Sequence, residues 1–207
     1  MNVIRLATQE RAEFVALLET LTPEQWQVPS LCAGWCVHDV VAHMISYDEL
    51  GPREVLGRAA RGWFNPDQVN ALGLRDYRQR SPEELVALVR RYTRPRGLTT
   101  MFGGRIGLTD CMIHQQDIRR PLGLPRQIPT ERIVPVLSFS LFAPPIRGVL
   151  RVRGVRLVAT DLDWSFGSGP EVSGTAEALL MAMAGRRGIL SELSGPGGAK
   201  LATRIER

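Results

Sequence analysis

The sequence predicts a mainly α-helical protein, a four-helix bundle followed by a short mixed α/β portion, and three observations carry that expectation. Apolar residues recur at helical spacing through the first part of the chain, most clearly Val37, Val40, Val41, Met44 and Ile45. Proline and glycine punctuate these segments at the places where helices start and stop. Beyond Pro125 the pattern changes, and "VRLVATDLDWSFG" alternates as strands do, with Val155, Leu157 and Ala159 on one face.

Taken in order, Thr8 is expected to cap a first helix with Glu10 and Arg11 on its wet side and Phe14, Leu17 and Leu18 on its dry side. A short helix or turn follows at Pro23. After "PSLCAGW" comes a helix with one strong apolar face, containing His38, Asp39 and His43. "GPREVLGRAARGWF" and "PDQVNALGLRDYRQR" read as helical pieces broken by Gly and Pro. "SPEELVALVRRYT" begins with a serine cap and a proline at the first helical position, and Pro95 and Gly97 stop it. The next helix is best defined over 108–120, with Pro121 and Gly123 ending it. "IPTERIVPVLSFSLFAPPI" predicts a further helix closed by Pro144 and Pro145, and "SGTAEALLMAMAGRRG" one capped by Ser173 or Thr175 and stopped by Gly185. There is no internal repeat, so the chain divides into a bundle domain, 1–124, and a small α/β domain, 125–207.

Composition narrows the function classes. The apolar content of 44% is that of a globular protein, and the apolar runs are too short and interrupted to span a bilayer. Charge enters "MNVIRLATQERAEF" before a signal-peptide core could form, which predicts a cytoplasmic protein that meets no membrane. The net charge is +5, and Lys200 is the only lysine, so arginine carries nearly all the positive charge. "RRYTRPR" at 90–96 is expected to be a solvated face, since no nucleic-acid-binding pattern accompanies it. An odd count of three cysteines without an export signal predicts free thiols. Cys32 and Cys36 are too far apart for a C-x-x-C pair, and small buried apolar groups are the expected role of all three cysteines.

Asp110, His114 and Asp117 stand at i, i+4 and i+7, so on a helix they project from one face as a polar ladder. Ile106, Cys111, Ile113 and Ile118 give that helix its apolar contacts, which sets the ladder near the bundle interior or its mouth. His43 lies on another apolar-faced helix. Facing helices of a bundle bind metals in this way, and two imidazoles with one carboxylate leave a fourth position open on zinc and also suit ferrous iron. The candidate ligands are therefore His43, Asp110 and His114, with Asp117 behind them orienting an imidazole or securing the helix end. The competing reading makes His43 and His114 core histidines, each satisfied by a neighbouring aspartate. His38, five residues before His43, falls on another side of the helix and is expected to face solvent or a cap.

"CAGWCVHDVVAHM", followed by "DCMIHQQDIRRPLG" and then by "VATDLDWSFGSG" and "SGTAEALLMAMAGR", resembles the mycothiol-dependent maleylpyruvate isomerase family of DinB-like helical-bundle proteins from actinobacteria. The pattern spans nearly the whole chain. The resemblance implies a DinB-like bundle with a divalent metal, zinc in the first instance, held by His43, Asp110 and His114. The family commonly has Glu at the second of these positions, so Asp110 is one methylene shorter. Arg186 in "AGR" matches a family position that could face an anion, and a helix-end arginine would serve equally.

A metal with an open position lowers the pKa of a bound thiol, and the resemblance implies that this thiol belongs to mycothiol, a small cofactor. The expected partners are thus a small-molecule thiol and an electrophilic substrate, for thiol transfer or for cis/trans isomerisation. Two other classes stay open. A metal-dependent hydrolase would need a general base, for which Asp39, one turn before His43, is the candidate. A non-enzymatic, stress-related binding protein would have kept the bundle without the metal.

Overall fold

The structure is a computed structural model that describes residues 2–143 and 146–206. Its backbone divides into two compact units, Met1–Pro125 and Arg126–Arg207. Among the described residues no helix is long and apolar enough to cross a membrane.

The first unit is helical throughout. Helix α1 spans Val3–Leu18, α2 Val37–Ile45, α3 Pro52–Arg61, α4 Pro66–Tyr77, α5 Pro82–Arg91 and α6 Arg105–Arg119, with 3₁₀ segments at Gln25–Gln27 and Gly97–Gly104. Helices α1 and α2 each pack against both α5 and α6, which makes these four the bundle, while α3 and α4 lie in the connection between α2 and α5. Phe14 and Leu18 from α1, Val37, Val40, Val41 and Ile45 from α2, Leu85 and Val89 from α5, and Cys111 and Ile118 from α6 form its core. Every residue of α2 is buried, so this helix is central rather than amphipathic. Helix α5 starts as its sequence requires: Ser81 Oγ accepts from the Glu84 amide, Glu84 returns a bond to the Ser81 amide, and Pro82 occupies the first turn. Where α6 begins, Gly104 has φ +92°, and a Cβ there would stand 2.8 Å from Ile4 of α1. Only glycine meets both demands.

Helix α1 departs from expectation in two ways. Asn2, not Thr8, is its cap, accepting from the Arg5 amide at 3.2 Å; Thr8 lies inside the helix and returns its hydroxyl to Ile4 O. Glu10 and Arg11 are buried rather than wet. Arg11 Nη1 meets Asp48 Oδ1 at 2.9 Å and Tyr92 O at 2.7 Å, and Thr99 Oγ1 donates to the same carboxylate at 2.9 Å. Gln115 Nε2 donates to the carbonyl and to the carboxylate of Glu10, at 2.9 and 3.0 Å. Partners from α6 and from the loops after α2 and α5 convert a face read as solvated into an interior one. The arginines of 90–96 are exposed as expected, with Arg91 and Arg96 resting on the Tyr92 ring.

The second unit contains α7 (Thr130–Phe142), α8 (Gly148–Val152), β1 (Arg156–Ala159), β2 (Ser165–Gly167), β3 (Glu171–Gly174), α9 (Ala176–Met183), a 3₁₀ segment at Arg187–Glu192 and α10 (Gly198–Ile205). The sheet order is β2-β1-β3, with β1 antiparallel to β2 and parallel to β3. Leu157 and Ala159 of β1 face the core with Val155 just before them, as their alternation predicts. Thr175 caps α9 by accepting from the Ala178 amide at 3.2 Å, and Gly185, at φ +81°, ends it. Ser173, the other candidate cap, lies in β3. Pro144 and Pro145, the expected stop of α7, fall outside the described residues.

The Arg11–Asp48 pair generates a stability prediction. Burial lifts the Asp48 carboxyl above the usual carboxylate range, and Arg11 and Thr99 only partly pull it back, while Arg11 overcomes its own burial by pairing with Asp48 and stays charged. Asp48→Asn leaves that buried guanidinium uncompensated. Urea unfolding should then read a loss of about 3–5 kcal/mol, and Arg11→Met combined with Asp48→Asn should recover part of it.

Candidate metal centre

Two helices bring the site together. Helix α2 is started by Asp39, whose Oδ2 accepts from the Cys36 amide at 3.3 Å, and this fixes the rotation that turns His43, in its last turn, toward α6. Ser46 Oγ donates to His43 O and secures the helix end. The His43 ring sits among other rings: Trp35 at 4.9 Å, Tyr47 at 5.5 Å edge-on and His114 at 5.0 Å between centroids. Helix α6 delivers its ladder in the expected register. His114 Nε2 lies 3.5 Å from Asp110 Oδ1, and His114 Nδ1 lies 2.9 Å from Asp117 Oδ2.

One ligand atom from each of His43, Asp110 and His114 lies within 4.8 Å of the others. The ladder is graded in depth: the Asp117 side chain is fully buried, whereas that of Asp110 is 29% exposed. Its accessible end is therefore Asp110. Because Asp117 accepts the Nδ1 proton of His114, Nε2 is the nitrogen left to face His43 and Asp110.

Electrostatics distinguish this cluster from an ordinary packed core. Burial alone would lower the His114 pKa, but the Asp110 charge, the Asp117 hydrogen bond and Cys32 outweigh it and raise the imidazole well above its usual value. Burial lifts the Asp110 carboxyl; His114 and Arg11 pull it down, and Asp117 pushes it further up. Two carboxylates thus compete for one protonated imidazole, an arrangement that a further cation would relieve.

The other sequence candidates fall elsewhere. Asp39 does not join the three-ligand set: its carboxylate caps α2, pairs with Arg78 Nε at 3.1 Å and lines a groove with Gln27, Cys36, His38 and Arg78. Arg186 lies in the second unit, at the end of α9, where it donates to Ala184 O. His38 is buried rather than solvent-facing; its Nε2–H donates to Arg80 O at 2.8 Å, and its ring meets the edge of Trp26. Cys32 is not a mere apolar filler, since its thiol donates to Asp117 Oδ2 at 3.1 Å and stands 3.9 Å from His114 Nδ1. Trp35 and Tyr47, which flank His43, are missed by the sequence reading although they stand eight residues before and four after it, offsets that share a helix face. Their nearness to His43 along the chain was the available clue.

The fold and site define a class, helical-bundle proteins with two histidines and a carboxylate converging from facing helices. Residues 7–97 match the family of the mycothiol maleylpyruvate isomerase N-terminal domain. The similarity to that domain lies within the N-terminal unit, with His43 inside the matched stretch and Asp110 and His114 beyond it. Two solved structures share the fold over 95% of this chain and 92% of theirs. One is a crystal structure of the mycothiol-dependent maleylpyruvate isomerase, with a TM-score of 0.59 and 13% identity; the other is a histidine-to-alanine mutant of that enzyme, with a TM-score of 0.57 and 13% identity. No curated protein matches the sequence significantly.

The raised His114 pKa fixes a sign. A proton held more tightly in the folded than in the unfolded chain stabilises metal-free protein below the unfolded imidazole value of about 6.5, and that stabilisation disappears as pH rises through the folded value. Proton NMR of metal-free protein should place the His114 midpoint well above 6.5. Asp117→Asn should lower that midpoint and flatten the fall in urea stability above neutrality.

Proposed function

We propose that the protein is a metal-dependent, thiol-activating enzyme that adds the thiolate of mycothiol to an electrophilic small molecule, with cis/trans isomerisation as the leading outcome and thiol transfer as its variant. The observation that carries this reading is the convergence of His43, Asp110 and His114 at the accessible end of a buried polar ladder. The donor set fits a divalent ion. Tetrahedral zinc with bonds of about 2.0–2.1 Å separates a nitrogen and an oxygen ligand by about 3.3 Å, close to the 3.5 Å between His114 Nε2 and Asp110 Oδ1. Charge balance agrees as well. Protonated His114 with ionised Asp110 and Asp117 leaves one negative charge in excess, whereas neutral His114 with a divalent ion leaves none.

Once held by His43 Nε2 or Nδ1, Asp110 and His114 Nε2, such an ion supplies Lewis acidity that favours a thiolate over its thiol at neutral pH. The remaining work belongs to the chain. Asp117 keeps the Nδ1 proton of His114 and thereby fixes the ring and its tautomer. Trp35 and Tyr47 pack on two sides of His43 and limit its motion. Asp110, being partly exposed, stands where a thiol and its acceptor can approach. In the reaction, the sulfur forms a bond to the electrophilic carbon of an enoyl-type acceptor as its double bond opens; rotation about the resulting single bond and expulsion of the thiolate give the other isomer. No net redox change occurs. A hydrolase is less well supported, because the carboxylate that could have served as its base, Asp39, is committed to the start of α2 and to Arg78.

Calorimetry tests the reading. Metal-loaded protein should bind mycothiol more tightly than metal-free protein, His43→Ala and His114→Ala should abolish the difference, and an S-blocked analogue should gain nothing from the metal. Equal affinity for mycothiol and its blocked analogue would refute thiol activation. Asp117→Asn should keep the fold and lower metal affinity about 10–100-fold, the usual cost of removing a carboxylate that orients a ligating histidine.

A further inference from the structure

A second set of metal-ligating groups lies on the far side of His114. Cys32 Sγ stands 3.1 Å from Asp117 Oδ2 and 3.9 Å from His114 Nδ1, and these last two atoms are 2.9 Å apart. Tetrahedral zinc, with bonds of about 2.3 Å to sulfur and about 2.0–2.1 Å to nitrogen and oxygen, sets sulfur edges of about 3.5 Å and a nitrogen–oxygen edge of about 3.3 Å. Each observed separation lies within about 0.5 Å of those edges. One ligand atom from each of the three residues falls within 4.8 Å of the others, as in the first set.

The loop that carries Cys32 is held in place. Ser30 N donates to Trp35 O at 2.8 Å, Val37 N to Val28 O at 3.0 Å and Trp35 N to Cys32 O at 3.0 Å, so residues 28–37 form a closed, bridged turn. Ser30 Oγ accepts from the Cys32 amide at 3.1 Å. Leu31 N then donates to Asp117 O, tying the turn to the same α6 residue whose carboxylate meets the thiol. The three donors are thus positioned before any ion arrives, which is what separates a site from a chance cluster.

We propose that Cys32, His114 Nδ1 and Asp117 form a second, thiolate-bearing site for a thiophilic divalent cation, distinct from the His43–Asp110–His114 set and sharing only the His114 ring with it. The two nitrogens of that ring point to opposite sides, so an ion at Nδ1 is not the ion at Nε2. Binding releases the Cys32 thiol proton and leaves the proton of neutral His114 on Nε2, because a thiolate and a lone-pair Nδ1 are the ligating forms, so the two sites are alternatives on one ring rather than filled together. The softness of the thiolate selects ions such as zinc, cadmium and cobalt over magnesium or calcium. The site does not rest on the thiol-activation reading.

Cobalt(II) titration followed by absorption tests the assignment, since thiolate ligation adds a near-ultraviolet charge-transfer band that an all-nitrogen-and-oxygen site lacks. Wild-type protein should develop this band. Cys32→Ser should lose it while keeping the visible d–d bands of the first set, and His43→Ala should keep it. Absence of the band from wild type, its survival in Cys32→Ser, or its loss in His43→Ala would each overturn the proposal. A measurement on wild type alone stands beside the variants: cobalt should slow iodoacetamide labelling of the Cys32 peptide at least tenfold, read by mass spectrometry, and equal labelling rates would overturn it. Failure of the first set instead would appear as absent d–d bands in Cys32→Ser, a separate readout.

Discussion

The first unit depends on the mutual neutralisation of the ionisable groups that α1, α2 and α6 bury. A lone charge in an apolar interior costs several kcal/mol, so each must find a partner of opposite sign from another element or from a neighbouring turn. Arg11 of α1 finds Asp48 just past α2, and Thr99 from the segment before α6 completes the shell of that carboxylate. His114 finds Asp110 and Asp117 within its own helix. These pairings set which faces turn inward, and they explain why the helices pack with polar groups between them rather than on aliphatic contacts alone.

The same constraint sets the character of the centre. Arg11 and Asp48 cancel and behave as structure. The α6 ladder does not cancel, having two carboxylates for one imidazole, and its surplus lies toward Asp110, where solvent reaches. A folded chain that retains such an imbalance gives up stability that an aliphatic residue at 110 or 117 would recover. Retention of the strain therefore suits a site whose electrostatics are completed by a bound cation, and it suits a satisfied histidine core less well, since one aspartate would have sufficed.

The parts of this arrangement governed by local spacing could be read from the chain. The i, i+4, i+7 ladder of Asp110, His114 and Asp117, the serine–proline start of α5 and the alternation of Val155, Leu157 and Ala159 all depend on neighbours within one element. Two apolar-faced helices that each carry a histidine predict that His43 and His114 meet, and their ring centroids lie 5.0 Å apart. What escaped depends on non-local partners. Glu10 and Arg11 look like a wet face until Gln115 and Asp48 are placed beside them, and Thr8 outranks Asn2 as a cap only if the first residues are left out of the helix. The settings of His38 and Cys32 are hidden from the sequence for the same reason: Arg80 O and Asp117 lie far along the chain, and no periodicity reports them. Helix α10 has a pattern of its own, but residues 198–205 follow so glycine-rich a stretch that it is hard to separate from a loop.

The bridged turn at 28–37 bears on why the histidines meet where they do. Helix α2 is short and buried on all sides, so its own surface pattern does not select a rotation about its axis. Rotation is imposed from its N-terminus, where Asp39 binds the Cys36 amide and the Pro29–Cys36 bridge anchors the chain that leads in. That lead-in segment is fastened to α6 through the Leu31 amide and Asp117 O. Asp117 consequently links both halves of the centre: its backbone carbonyl fixes the segment that leads into the His43 helix, and its carboxylate orients His114. A single residue thus couples the approach of the two helices to the tautomer of the ring between them, and the geometry of the three-ligand set follows from that coupling more than from the ligands themselves.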